Sequence, residues 1–163
     1  MTETITLSPL PASAPGAAFR VAIVVSRYNN EITDKLEAGA LAELARRRPG
    51  NGRAVVIPAS GSFELPTLAA AAARSGKFDA VVALGCVIKG ETRHDHFIST
   101  AVANELARAG VETGIAVAFG VLTVETDEQA EARAGGKMGN KGIEAMAAAI
   151  ETAEMLQAIK ALR

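Results

Sequence analysis

Four short runs of β-branched and small apolar residues recur along the chain, each followed by a stretch of helical periodicity. That alternation leaves few folds open. The runs cover residues 19–25 (Phe19-Arg20-Val21-Ala22-Ile23-Val24-Val25), 54–57, 80–88 and 114–122. Nearly continuous apolar character is what a strand buried on both faces requires. Between the first two, residues 34–48 carry Leu36, Ala40, Leu41 and Leu44 at helical spacing, with Thr33 or Asp34 as cap. Residues 65–74 and 97–109 read as further helices, and 126–163 as helix around the glycine-rich break 135–142. The order predicts an α/β fold in three layers, α/β/α: a four-stranded parallel sheet with helices on both faces, joined by right-handed crossovers. It occupies one domain, residues 19–163. Ahead of it, Pro9, Pro11 and Pro15 mark residues 1–18 as an extended arm. Within the arm, the alternation Ile5-Thr6-Leu7 would permit an N-terminal edge strand against a neighbouring subunit.

Composition narrows the function classes. Hydrophobic residues are 49% and charged residues 21% of the 163, which excludes a disordered chain. Lys and Arg number 17 against 18 Asp and Glu, without the basic surplus a nucleic-acid binder needs. No apolar run approaches the roughly 20 residues of a membrane span, and the N-terminus lacks the features of a signal peptide. The expectation is a cytoplasmic protein with no membrane partner. The single cysteine, Cys86, can form no intrachain disulfide. No Cys/His spacing suggests a metal site: His94 and His96 have no third ligand nearby. The phosphate-loop lysine motif and the dinucleotide fingerprint are both absent. Arg46-Arg47-Arg48 would suit a phosphate, but Pro49-Gly50 follows directly. The three read better as the solvated, cationic last turn of a helix.

In open parallel sheets, ligands bind beyond the carboxyl ends of the strands. The segments expected there are Ser26-Arg27-Tyr28-Asn29-Asn30, Ala59 to Glu64, Lys89 to His96, and Phe119-Gly120 with Leu122-Thr123. Tyr28, Phe63 and Phe119 could each cap the core. Three aromatics on one edge point instead to a stacking site for a flat heterocycle. Glu64 suits equally the first turn of a helix or a hydrogen bond to a ligand. Gly90-Glu91-Thr92 precedes a helix, so its backbone N–H groups could cradle an anion. His94 is the group best suited to proton exchange near neutral pH. Arg133 and Lys141 flank the glycine-rich break, where a guanidinium could grip phosphate bidentately or simply face solvent.

Taken in order, these segments resemble the 6,7-dimethyl-8-ribityllumazine synthase family. The matching pieces are Ser26-Arg27-Tyr28-Asn29, Gly61-Ser62-Phe63-Glu64-Leu65-Pro66, and Ala83-Leu84-Gly85-Cys86-Val87-Ile88-Lys89-Gly90-Glu91-Thr92 with His94. Ala118-Phe119-Gly120-Val121-Leu122-Thr123, Glu128-Gln129-Ala130 with Arg133, and Gly139-Asn140-Lys141-Gly142 complete the set. The resemblance implies a flavodoxin-like sheet. It also implies condensation of 5-amino-6-(D-ribitylamino)uracil with 3,4-dihydroxy-2-butanone 4-phosphate, without cofactor or metal. It assigns Tyr28 to stacking on the pyrimidine, and Ser62, Phe63 and Glu64 to the ribityl chain. Backbone groups of Cys86, Val87 and Ile88 would meet the uracil edge. Glu91 and Thr92 with Arg133 would hold the phosphate, Phe119 would complete the aromatic pocket, and Lys141 would lie near the ribityl or phosphate end. His94 would transfer protons. The family forms pentamers with sites between subunits, and the uninterrupted 135–141 connection leaves a sixty-subunit icosahedral shell open, with a decamer behind it. Ser60 departs from the family's usual Pro, and Asp95-His96-Phe97 from its usual aromatic-acid-aromatic run. The rival readings are a non-catalytic flavin or lumazine carrier of flavodoxin type and a shell protein kept for assembly.

Overall fold

The structure, a computed structural model, describes residues 4, 6–10 and 17–162. Strand β1 (Phe19–Ser26) leads into helix α1 (Asn30–Arg47) and strand β2 (Gly52–Ala59). A 3-10 turn (Ser62–Glu64) opens helix α2 (Leu65–Arg74), then come β3 (Ala80–Ile88), α3 (His94–Thr113) and β4 (Ala116–Val124). Helix α4 (Asp127–Arg133) runs into a small ribbon, β5 (Ala134–Gly136) with β6 (Gly139–Asn140), and α5 (Lys141–Lys160) ends the fold. The main sheet is parallel, in the order β2-β1-β3-β4.

Alternate residues of the central strands build two cores, as the pleat dictates. Phe19, Val21, Ile23 and Val25 of β1, with Ala80, Val82 and Leu84 of β3, pack against Leu36, Ala40 and Leu44 of α1 and Met146, Ala149 and Ile150 of α5. Ala22 and Val24, with Val81, Ala83 and Val87, pack against Leu65, Ala69 and Ala73 of α2 and Val102 and Leu106 of α3. The expected three layers and four-stranded parallel sheet are therefore present.

Several boundaries differ from the sequence reading. Helix α1 begins four residues before Asp34, because Asn29 adopts the left-handed region (φ 59°) and its carbonyl accepts the N–H groups of Ile32 and Thr33. Helix α3 begins at His94 rather than Phe97, so the histidine pair lies on its first turn. Gly114 (φ 65°) caps α3, which delays β4 to Ala116. The glycine-rich break holds the antiparallel ribbon β5–β6, which its glycines hid from the propensity pattern. Of the arm, Thr6 and Leu7 carry no strand pairing, and the Leu10 N–H donates to the Glu154 carbonyl at 3.3 Å. Ile5 and the arm residues 1–3 and 11–16 lie outside the described residues.

Helices α1 and α5 cross closely. A side chain at Gly142 would collide with the Leu36 carbonyl of α1, so only glycine permits this approach. Asn140 caps α5 through Oδ1, which accepts from the N–H groups of Gly142 and Ile143, while its Nδ2 donates to the Lys35 carbonyl at 2.9 Å. The arginine triplet is paired within the chain. Arg46 and Arg47 both donate to Glu43, Arg47 also meets Glu151, and Arg48 reaches Glu154 while lying over the Phe19 ring at 4.7 Å.

Candidate active site

The sheet turns in opposite directions from β1: the chain adds β2 on one side and β3 on the other. A crevice opens where such neighbouring strands part. The β1–β3 ladder ends at the pair Val25↔Leu84, whereas β1 stays paired with β2 as far as Ser26↔Ala59. Beyond Leu84, β3 runs on alone on that side. A cleft of about 530 Å³ fills the gap, bounded by Tyr28 and Asn29 after β1, Gly61 to Glu64 after β2, and Cys86 to Ile98 along β3 and the start of α3.

Nine of the expected site residues meet there: Tyr28, Ser62, Phe63, Glu64, Cys86, Val87, Ile88, Thr92 and His94. The two rings, Tyr28 (71% exposed) and Phe63 (61%), are far too open to be core caps. Glu64 occupies the cap position of α2, yet its side chain makes no capping hydrogen bond. Its carboxylate folds back so that a side chain at Gly61 would stand 3.1 Å from Oε2. Ser62 is nearly buried, and it fits only because Gly85 of β3 has no side chain: a Cβ there would come within 2.8 Å of the Ser62 hydroxyl. The Cys86 thiol is buried, which pushes its pKa up to about 11, with the Asp127 carboxylate adding to the effect. It is therefore protonated and unreactive at neutral pH.

Residues Gly90 and Thr92 line the cleft, and Glu91 between them is exposed at its rim. They lead to the start of α3, whose first N–H groups have no helical partners, and Arg93 supplies no side-chain cap. That end of the cleft suits an anion. His94 lines it, with Asp95 beside it, but His96 does not. Two helical steps turn His96 away, with its ring edge-on to Phe97 at 5.8 Å.

Three expected residues lie elsewhere in the chain. Phe119, on the edge strand β4, and Lys141 line a separate groove against α5, where Lys141 Nζ donates to Glu144 at 3.0 Å. Arg133 ends α4, exposed. Among the described residues, the cleft includes Glu64 and Asp95 but no Lys or Arg. Sequence reasoning gave no role to Asn29, which lines the cleft; its tolerance of left-handed backbone was the available signal.

Comparison with known proteins supplies the context. The model of the 6,7-dimethyl-8-ribityllumazine synthase family matches residues 18–157. A 6,7-dimethyl-8-ribityllumazine synthase of Anaeromyxobacter dehalogenans (strain 2CP-C) is 45% identical over 147 residues, covering 90% of this chain and 91% of the relative.

Proposed function

The chain belongs to the 6,7-dimethyl-8-ribityllumazine synthase family, and from that premise we infer how its cleft performs the reaction. The enzyme condenses 5-amino-6-(D-ribitylamino)uracil with 3,4-dihydroxy-2-butanone 4-phosphate to 6,7-dimethyl-8-ribityllumazine, a step of riboflavin biosynthesis. An amine adds to a ketone, water leaves to give an imine, phosphate is eliminated, and the second amine adds to the remaining carbonyl, closing the ring with loss of a second water. Neither substrate needs an activated nucleophile from the protein. Holding the two in register therefore supplies much of the acceleration.

In this reading Tyr28 stacks on the pyrimidine, the backbone of Cys86, Val87 and Ile88 meets the uracil edge, and Ser62, Phe63 and Glu64 receive the ribityl chain. Glu91 and Thr92 hold the phosphate at the start of α3, and His94 moves protons where phosphate departs, a contribution of about 10²–10⁴-fold for such a group. The observation that supports the assignment is the meeting of two exposed rings, one histidine and an open helix N-terminus in a single cleft.

Among the described residues, the same cleft offers no Lys or Arg to a phosphorylated substrate. Phe119 and Arg133, both exposed and far from filling this chain's own cleft, suit delivery to a neighbour's. We therefore read the working unit as a pentamer with sites between subunits, each completed by Phe119, Arg133 and Lys141 of the adjacent copy. A sixty-subunit shell extends the same reading. Residues 19–163 form the catalytic domain. No helix among the described residues is long and apolar enough to cross a membrane, in keeping with a cytoplasmic biosynthetic role. The test is direct. Mixing purified protein with both substrates should release phosphate and generate lumazine fluorescence together, and binding of lumazine without turnover would leave only a carrier.

A further inference from the structure

We propose that Asn29 is a positioning residue that sets the gap between the stacking ring of Tyr28 and the uracil-reading edge of β3; the assignment rests on the functional reading above. Asn29 is the only non-glycine residue with positive φ among the described residues (φ 59°, ψ 45°). Strained backbone of this kind persists where the surroundings over-determine it. Here they do. The Asn29 carbonyl accepts the N–H groups of Ile32 and Thr33, opening α1. Its Nδ2 donates to the Cys86 carbonyl at 2.9 Å. That carbonyl lies two residues past the last β1–β3 pair, so the amide supplies the ladder bond that the parting strands leave unmade. On the other side of Tyr28, the Ser26 hydroxyl donates to the Tyr28 carbonyl at 3.3 Å, and Thr33 Oγ1 donates to the Ser26 carbonyl at 2.7 Å. Ser26 and Thr33 are fully buried. The Tyr28 ring, by contrast, is 71% exposed, so the tethering of its backbone, more than side-chain packing, sets its place.

The protein carries one tyrosine and no tryptophan, so its intrinsic emission reports Tyr28 alone. Asn29→Gly keeps the left-handed backbone and removes the tether. Asn29→Asp keeps the side-chain shape and sets an acceptor against the Cys86 carbonyl. Both should enlarge the fast component of Tyr28 anisotropy decay without ligand. In the assembled enzyme, KM for the ribitylaminouracil should rise about tenfold, one hydrogen bond's worth, with kcat and the KM for the phosphorylated ketone little changed. The Asp variant should be the worse of the two, and it serves alone if the Gly variant does not assemble. Unchanged Tyr28 mobility would overturn the proposal, as would an equal rise in both KM values. Wild-type protein that makes no lumazine would defeat the functional reading instead, and the ligand-free anisotropy would then decide the tether by itself.

Discussion

Two helical steps separate the two histidines and place only His94 on the cleft. His94 opens α3 facing the cleft, while His96 turns out toward Phe97. His94→Ala should lower kcat by about tenfold or more, within the range that general acid–base groups supply, and His96→Ala should leave kcat nearly intact. Steady-state rates of both variants, with assembly confirmed, check this; a larger loss in His96→Ala would reverse the roles. At this scale the sequence was informative wherever a residue's chemistry is rare. The lone tyrosine, the histidine and the carboxylate after Phe63 were all legible, and all reach one cleft. Asn29 was not, because an asparagine after a strand reads equally as a turn residue. Its meaning lies in a bond to Cys86, 57 positions away.

Helices α1 and α5 show a second limit of legibility. The apolar spacing of α1 was plain in the sequence, but its start was not, since it depends on the left-handed Asn29 rather than on a Thr33 or Asp34 cap. The arginine triplet does lie at a helix end, but it is not the solvated turn expected: Arg48 is 12% exposed, and the partners Glu43, Glu151 and Glu154 could only come from packing. Glu43 is buried to 6% exposure, and the Arg46 and Arg47 guanidinium groups hold its pKa down at about 2 from 4.5. A lowered folded-state value means that the stabilisation is present above pH 4.5 and fades as pH falls toward 2. Glu43→Gln should therefore cost up to about 3 kcal/mol at pH 7, and the gap from wild type should shrink by pH 3. Urea unfolding at the two pH values measures it. A gap independent of pH would show that packing, rather than charge, holds this corner.

For the molecule as a whole, the proposed shared site follows from two observations: among the described residues the cleft is lined by no Lys or Arg, and Arg133 lies outside it. Arg133→Ala should raise KM for the phosphorylated ketone far more than for the pyrimidine, and equal effects would refute the phosphate assignment. Light scattering at micromolar concentration should give a pentamer or a multiple of it, and a monomer would remove the shared site altogether. The sheet order carries one more consequence, in time rather than space. Interior strand β1 gains β2 across one helical unit, but its other edge waits for β3, with Val21 opposite Ala80. Closing so long a segment costs chain entropy before any contact offsets it. On the ribosome, the first half of the sheet therefore emerges with its most apolar strand half-covered, and it stays open until residue 80 and those beyond leave the exit tunnel.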